Sequence, residues 1–176
     1  MRSGLLFGMA VTVGLASGCA TSAPTAPHHV AKPAGSDPST SAKMVCAPEA
    51  QHRLADVLGV TTTVPVAPTW VDHRYACTYH YGNGSLTLSV QELENRAQTT
   101  AYYELLRAQL GDTGSISGLG QGAFTTTDGS IVARKDYKVL LVDISGLPPQ
   151  FGVPATSAAD VAVTVADLIM GCWTGA

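Results

Sequence analysis

The clearest alternation of apolar and polar residues lies in RYACTYHYGNGSLTLSVQE, residues 74–92. Asn83-Gly84 at its centre is a pair that two-residue type I′ hairpin turns prefer. A turn there puts the large apolar side chains on one face and the polar ones on the other, with these opposed pairs: Tyr81 and Leu86, Tyr79 and Leu88, Cys77 and Val90, His80 and Thr87, Thr78 and Ser89. Because a buried face fixes the register, the segment predicts an antiparallel hairpin with Cys77 pointing inward.

Three segments have the spacing of amphipathic helices. The first covers residues 48–59, with a proline in its first turn and a glycine at its end. The second runs from about Ala97 to Leu110. The third starts at a capping box formed by Ser157 and Asp160 and ends near Trp173. Its apolar stripe contains Val161, Val165, Leu168, Ile169 and Cys172.

Three further strands are predicted between the second and third helices, at about residues 123–127, 130–134 and 138–145. Val139 to Val142 is apolar on both faces, which is typical of a central strand covered on both sides. The proline-containing stretch TTTVPVAPTW at residues 61–70 is predicted to be an irregular loop. The element order is therefore αββαβββα, an α+β fold in which helices pack against a five-stranded antiparallel sheet.

The N-terminus has the pattern of a secretory signal. One positive charge in Met1-Arg2-Ser3 precedes an uncharged apolar run of 13 residues, Gly4 to Ala16. As a helix this run would span roughly 20 Å, less than the hydrocarbon core of about 30 Å. Cys19 follows directly after small residues, and residues 1–18 resemble a bacterial lipoprotein signal peptide, although Ala16 stands where that pattern prefers leucine. The resemblance implies that Cys19 carries a diacylglyceryl anchor; the alternative is an ordinary secretory signal.

The composition changes after Cys19. Residues 20–43 are rich in Ala, Pro, Ser and Thr and have almost nothing to bury, so residues 19–43 are predicted to be a lipid anchor with a disordered tether. Residues 44–176 have the size of a single domain. With a net charge of -3 the chain offers no basic face for nucleic acid. His28 and His29 lie in the tether, where a solvated segment is favoured over a metal site.

Cys46, Cys77 and Cys172 lie downstream of Cys19. Outside the cytoplasm thiols tend to pair. Cys46 lies at the start of the first helix and Cys77 on the inner face of the hairpin, which favours a disulfide between them. Cys172 is then a free thiol, interpreted as buried and inert. The alternative is a reactive thiol, for which Cys46 at a helix N-terminus would be the candidate if it were unpaired.

No catalytic or cofactor motif is found: the chain has no H-E-x-x-H, G-x-S-x-G or G-x-x-x-x-G-K-[ST]. The domain histidines His52, His73 and His80 do not converge in the predicted fold, so no metal ion and no cofactor are expected. GLGQGAF, residues 118–124, precedes a strand, and therefore predicts a close reversal over the sheet and not a nucleotide loop. Asp128, Asp136 and Asp143 are predicted to have structural roles, in turns and on a strand face. Trp70 and Trp173 are predicted to pack in the core or to cover the edge of the sheet; the alternative is that they line a ligand groove.

The chain as a whole resembles small extracytoplasmic lipoproteins of actinobacteria, some of which have a fold similar to the PsbP and Mog1 proteins. The features that carry this resemblance are the signal, the tether, Cys46 before a helix, Cys77 in the next strand, GLGQGAF and VARKDYKVLLVDISG. In that pattern an aspartate often stands where Gln121 stands here, and Cys172 has no counterpart. The resemblance implies a non-catalytic module that is anchored on the extracytoplasmic face of the cell membrane and binds an envelope protein, a lipid or a cell-wall component. An envelope enzyme, either a hydrolase or thiol-dependent, is the alternative.

Overall fold

The computed structural model describes residues 33–173. The predicted signal peptide and Cys19 lie outside these residues. The helices are α1 (Thr40–Lys43), α2 (Pro48–Leu58), α3 (Arg96–Leu110) and α4 (Ala158–Cys172), with a 3-10 turn at Met44–Cys46. The strands are β1 (Thr69–Val71), β2 (Arg74–Tyr81), β3 (Gly84–Glu92), β4 (Gly114–Ser115), β5 (Gly122–Thr125), β6 (Ile131–Lys135), β7 (Lys138–Asp143), β8 (Gln150–Phe151) and β9 (Thr156–Ser157).

The main sheet is antiparallel and has seven strands in the order β1-β2-β3-β7-β6-β5-β4. The predicted α+β class is confirmed, but the prediction of five strands in the order αββαβββα is wrong. The strands that it missed in this sheet are the two short edges, β1 with 3 residues and β4 with 2 residues. Neither is long enough to show an alternating pattern, and Pro68 directly before β1 is compatible with the start of an edge strand. Strands β8 and β9 form a separate pair.

The β2–β3 hairpin forms as predicted, but its register differs by two residues. Tyr81 lies opposite Gly84 and Tyr79 opposite Leu86, so Gly82-Asn83 is the turn. Gly84 is needed in the strand for close packing, because a Cβ there would lie 2.7 Å from the Gly146 carbonyl oxygen. Since side chains alternate with a period of two, the shift leaves the same residues on the buried face.

Strand β7 lies at the centre of the sheet, which confirms the prediction from its apolar sequence. Leu140 and Val142 face the larger core, which contains side chains of α2 and α4. Val139 faces the opposite core, where α3 packs through Tyr103 and Leu106. Helices therefore cover both faces of the sheet.

The helix ends follow their sequence signals. Gly59 ends α2 in the left-handed conformation with φ 63°. Ser157 caps α4 by accepting a hydrogen bond from the Asp160 amide, 3.1 Å, as the capping box predicts. Asn95 caps α3 in the same way through the Gln98 amide. Among residues 33–173 no helix is both long and apolar enough to cross a membrane.

The last part of the predicted tether is folded onto the domain, which corrects its boundary at Lys43. The Ala34 amide donates to the Leu93 carbonyl at 3.0 Å, and the Trp70 indole donates to the Ser36 carbonyl at 3.0 Å. Helix α1 buries Ala42 completely. The Ser39 amide before α1 also donates to the Glu92 carboxylate at the end of β3, 3.3 Å. The chain thus enters the domain beside Leu93, at the end of the β2–β3 hairpin that lies away from its turn.

The outer edge of β2 is covered along most of its length. Strand β1 pairs with residues 74–76. Near the other end, the Thr63 amide donates to the His80 carbonyl at 2.8 Å. Residues 61–68 therefore run beside the sheet and connect α2 to β1.

Candidate functional site

An open groove of about 830 Å³ lies at one end of the domain. We call it the α2–hairpin groove. Its walls are His52, Ala55 and Asp56 of α2, residues 59–61 after that helix, and residues 81–83 at the tip of the β2–β3 hairpin. A smaller cavity of about 270 Å³ extends it along α2 toward Pro48. The groove has the volume of small-molecule sites in general.

The two walls are held together by the β8–β9 pair, which is distant in sequence from both. The Val153 amide donates to the Leu58 carbonyl at the end of α2, 2.8 Å. Gly59 permits this approach, because a Cβ there would collide with the Val153 carbonyl oxygen. On the other side, the rings of Phe151 and Tyr81 meet edge to face with centroids 4.9 Å apart.

The groove presents polar side chains that have no partner in residues 33–173. His52, Asp56 and Asn83 are exposed, and no hydrogen bond joins their side chains to the described part of the chain. Tyr81 is only 7% exposed, and its hydroxyl is likewise unpaired. That hydroxyl is not fully occluded, and Tyr81 is one of the residues that line the groove. Burial raises the pKa of Tyr81 to about 12.

The three domain histidines lie in different parts of the structure. His52 lies in the groove, His73 in the turn between β1 and β2, and His80 on the exposed face of β2. Residues 33–173 contain no group of three His, Cys, Asp or Glu side chains placed to hold a metal ion.

The predicted disulfide between Cys46 and Cys77 is confirmed, with Cα atoms 5.9 Å apart. It joins the 3-10 turn to β2 inside the larger core. Cys172 is a free thiol, but it is partly exposed and not buried as expected. Its sulfur lies 3.3 Å from Nη1 of Arg53 on α2, because it sits at the edge of the α4 stripe.

The glycine loop at residues 118–124 is a close reversal, as predicted. Gly120 has φ 63°, and a Cβ there would lie 2.5 Å from the Arg134 carbonyl oxygen. The Gln121 and Asp136 side chains clamp the loop to the β6–β7 turn, since each residue donates one hydrogen bond to the other, at 3.3 and 3.0 Å. Strand β5 follows and buries Phe124 completely. The hydrogen-bonding groups of the Gln121 side chain are therefore used within the fold.

The three aspartates that were predicted to be structural lie in turns or accept hydrogen bonds from turn residues. Asp128 accepts from the Ser130 amide at 3.1 Å and Asp143 from the Ser145 amide at 2.9 Å. Burial acts to raise the pKa of Asp128, but its hydrogen bonds from Thr126 and Ser130 outweigh that effect and lower it.

The tryptophans also pack as predicted. Trp173 is buried in the larger core, and Trp70 donates to the Ser36 carbonyl at the opposite end from the groove. Neither of the two lines the α2–hairpin groove.

A second polar cluster, beneath α3, was not predicted. The guanidinium groups of Arg107 and Arg134 lie 5.0 and 4.9 Å from the ring centroid of Tyr103. Arg107 lies 3.1 Å from the Asp112 carboxylate, and Arg134 donates to the Thr100 hydroxyl at 3.0 Å. The i, i+4 spacing of Tyr103 and Arg107 is a visible signal for half of this cluster. The cluster ties α3 to β6.

The fold and the groove define a class, a disulfide-bonded α+β domain with an open groove at one end. The chain matches no protein-family model, and no curated protein or solved structure is significantly similar to it. The resemblance to actinobacterial lipoproteins therefore stays a prediction from sequence.

Proposed function

We propose that this protein is a lipid-anchored lipoprotein of the cell envelope and a non-catalytic binding module whose binding surface is the α2–hairpin groove. The observation that supports this most strongly is the position of the groove relative to the chain's point of entry. The N-terminal segment enters beside Leu93, whereas the groove lies beside Tyr81 and Asn83, at the other end of the same hairpin.

The separation follows from strand geometry. Arg74 to Tyr81 spans seven residue steps of β2, or about 23 Å at roughly 3.3 Å per residue. The segment from Cys19 to Pro33 adds a reach of roughly 20 Å if it behaves as a flexible coil. A lipid on Cys19 would then hold the domain by one end and present the groove away from the membrane.

A binding role fits the groove better than a thiol-dependent reaction. Cys46 and Cys77 are bonded to each other, so neither supplies a nucleophile in this state. The polar groups of the groove are exposed to solvent on an open surface, with His52 and Asp56 on one helix. Such groups can orient a bound molecule through hydrogen bonds.

The anchor is tested by intact-mass measurement of protein extracted from membranes. We expect a chain that starts at Cys19 and carries two or three acyl groups. The Cys19→Ser variant should lack the lipid mass. A native product that keeps residues 1–18, or that starts at Cys19 without lipid, would contradict the anchor.

The binding surface is tested by photo-crosslinking in intact cells. A photoreactive amino acid at position 52 lies in the groove, and one at the exposed Gln109 lies on α3, across the sheet. We expect discrete adducts from position 52 and none from position 109. Equal labelling from both positions, or labelling from 109 alone, would refute the groove as the binding surface.

A further inference from the structure

We infer that the α2–hairpin groove binds an uncharged oligosaccharide. This inference rests on the proposed function in one respect, that the groove is the binding surface, and it adds the chemical class of the ligand.

The charge of the groove disfavours anionic ligands. None of its lining residues is a lysine or an arginine, and Asp56 is the charged side chain in its wall. The C-terminal end of α2, at Leu58, also lies here and carries the negative end of the helix dipole. A phosphate or carboxylate ligand would therefore meet negative potential and no compensating cation.

The hydrogen-bonding groups suit a ligand that both donates and accepts at many points. Asp56 accepts, while Asn83, His52 and the Tyr81 hydroxyl can each donate and accept. The hydroxyls of a sugar do both, and every one of these side chains lacks a partner within residues 33–173. Tyr81 carries the most weight, because the residue is only 7% exposed and its ring packs against Phe151. Its hydroxyl has no partner within residues 33–173 and is not fully occluded, and the residue lines the groove.

The apolar part of the groove complements the hydrogen-bonding groups. Apolar patches make up the larger part of the groove lining, which includes Ala55, Val60 and Tyr81. A pyranose has apolar C–H faces that can lie on such patches while its hydroxyls reach the polar rim. The smaller cavity along α2 shares Ala55, Val60 and Tyr81 with the groove, so the surface continues past one sugar unit.

The test uses the full chain, extracted from cells in detergent and titrated by saturation-transfer NMR. The probes are the neutral trisaccharides of N-acetylglucosamine, glucose and mannose, with trigalacturonate as the anionic comparison. We expect at least one neutral trisaccharide to bind at millimolar concentration or below, and trigalacturonate to bind at least tenfold more weakly. Failure of all three neutral probes, or tighter binding of trigalacturonate, overturns the inference.

Single substitutions locate the site. Tyr81→Phe removes only the hydroxyl and keeps the ring on Phe151, so affinity should fall by roughly two- to tenfold, the effect of one lost hydrogen bond. Tyr102→Phe makes the same change on α3 and should leave affinity unaltered. Asp56→Asn removes a negative charge, so the ratio of the affinity for a neutral trisaccharide to the affinity for trigalacturonate should fall. Loss of binding in Tyr102→Phe, or full affinity in Tyr81→Phe, refutes the assignment to this groove.

The two proposals fail differently. Adducts from position 52 together with a lack of trisaccharide binding would overturn the oligosaccharide inference and leave the binding module intact. Trisaccharide binding by a protein that carries no lipid would support the ligand class and overturn the anchored function.

Discussion

Removal of the Cys46–Cys77 disulfide is the perturbation whose effect can best be worked out from the structure. The bond closes a loop with a sequence separation of 31 residues between the 3-10 turn and β2. Two forms lack it: the Cys46→Ala/Cys77→Ala variant, and the unaltered chain kept reduced. The reduced chain retains both sulfur atoms, so it isolates the cross-link from the loss of side-chain volume.

The chain-entropy relation gives the expected magnitude. With 31 residues in the loop, the cross-link lowers the entropy of the unfolded chain by about 12 cal/mol/K, which stabilises the fold by about 3.7 kcal/mol at 25 °C. A domain of this size has a total stability of about 5 to 15 kcal/mol. The reduced chain should therefore still fold but lose a large part of its stability. The alanine variant should lose somewhat more, because both cysteines are at least 94% buried.

The assay is urea unfolding followed by the fluorescence of Trp70, on the edge strand β1, and of Trp173, in the larger core. We expect the free energy of unfolding to fall by about 3 to 4 kcal/mol on reduction. A decrease of less than about 1 kcal/mol would refute the loop-entropy reasoning. It would mean that the unfolded chain already holds the two segments together.

Three further predictions concern single residues. Gly120→Ala and Gly118→Ala both place a side chain at positive φ, 63° and 81°, but only Gly120 has close neighbours. Gly120→Ala should therefore lower the free energy of unfolding, measured in urea, by about 1 to 3 kcal/mol more than Gly118→Ala. Equal decreases in the two variants would contradict the packing argument. Ser157→Ala should lower the free energy of unfolding by about 1 kcal/mol, because the cap of α4 is lost, and Ser157→Thr should retain most of it. The pKa of Tyr81 is raised to about 12 from an ordinary value near 10. The contribution of Tyr81 to the free energy of unfolding is therefore complete below pH 10 and is lost as the pH rises toward 12. Between these pH values the melting temperature should fall less in Tyr81→Phe than in the unaltered protein, and an identical fall in both would refute the prediction.

The elements that could be predicted are those whose pattern is local and long enough to repeat. Helix α4 has a capping box and a sustained apolar stripe, and its start at Ser157 is confirmed. The central position of β7 follows from Val139 to Val142 alone, since a run that is apolar on both faces needs cover on both sides. The inward direction of Cys77 was correct even though the register was not, because a shift of two residues preserves the face.

The features that could not be predicted depend on contacts between distant segments. The hairpin turn moved because Gly84 packs against Gly146, 62 residues later in the sequence. The groove depends on the approach of Val153 to Leu58 and of Phe151 to Tyr81. The segment containing Val153 and Phe151, LPPQFGVP, has no periodicity that indicates where it packs. His52 was noted in the sequence, but its neighbours across the groove could not be identified without the tertiary fold.

The short strands at the two margins of the sheet have a consequence for self-association. Strand β1 has 3 residues and β4 has 2, and beyond β1 the side of β2 is occupied by Thr63. A second molecule that tried to extend this sheet would find only a few free amides and carbonyls in a row. We therefore expect copies crowded on one surface to stay separate and to resist strand-to-strand polymerisation.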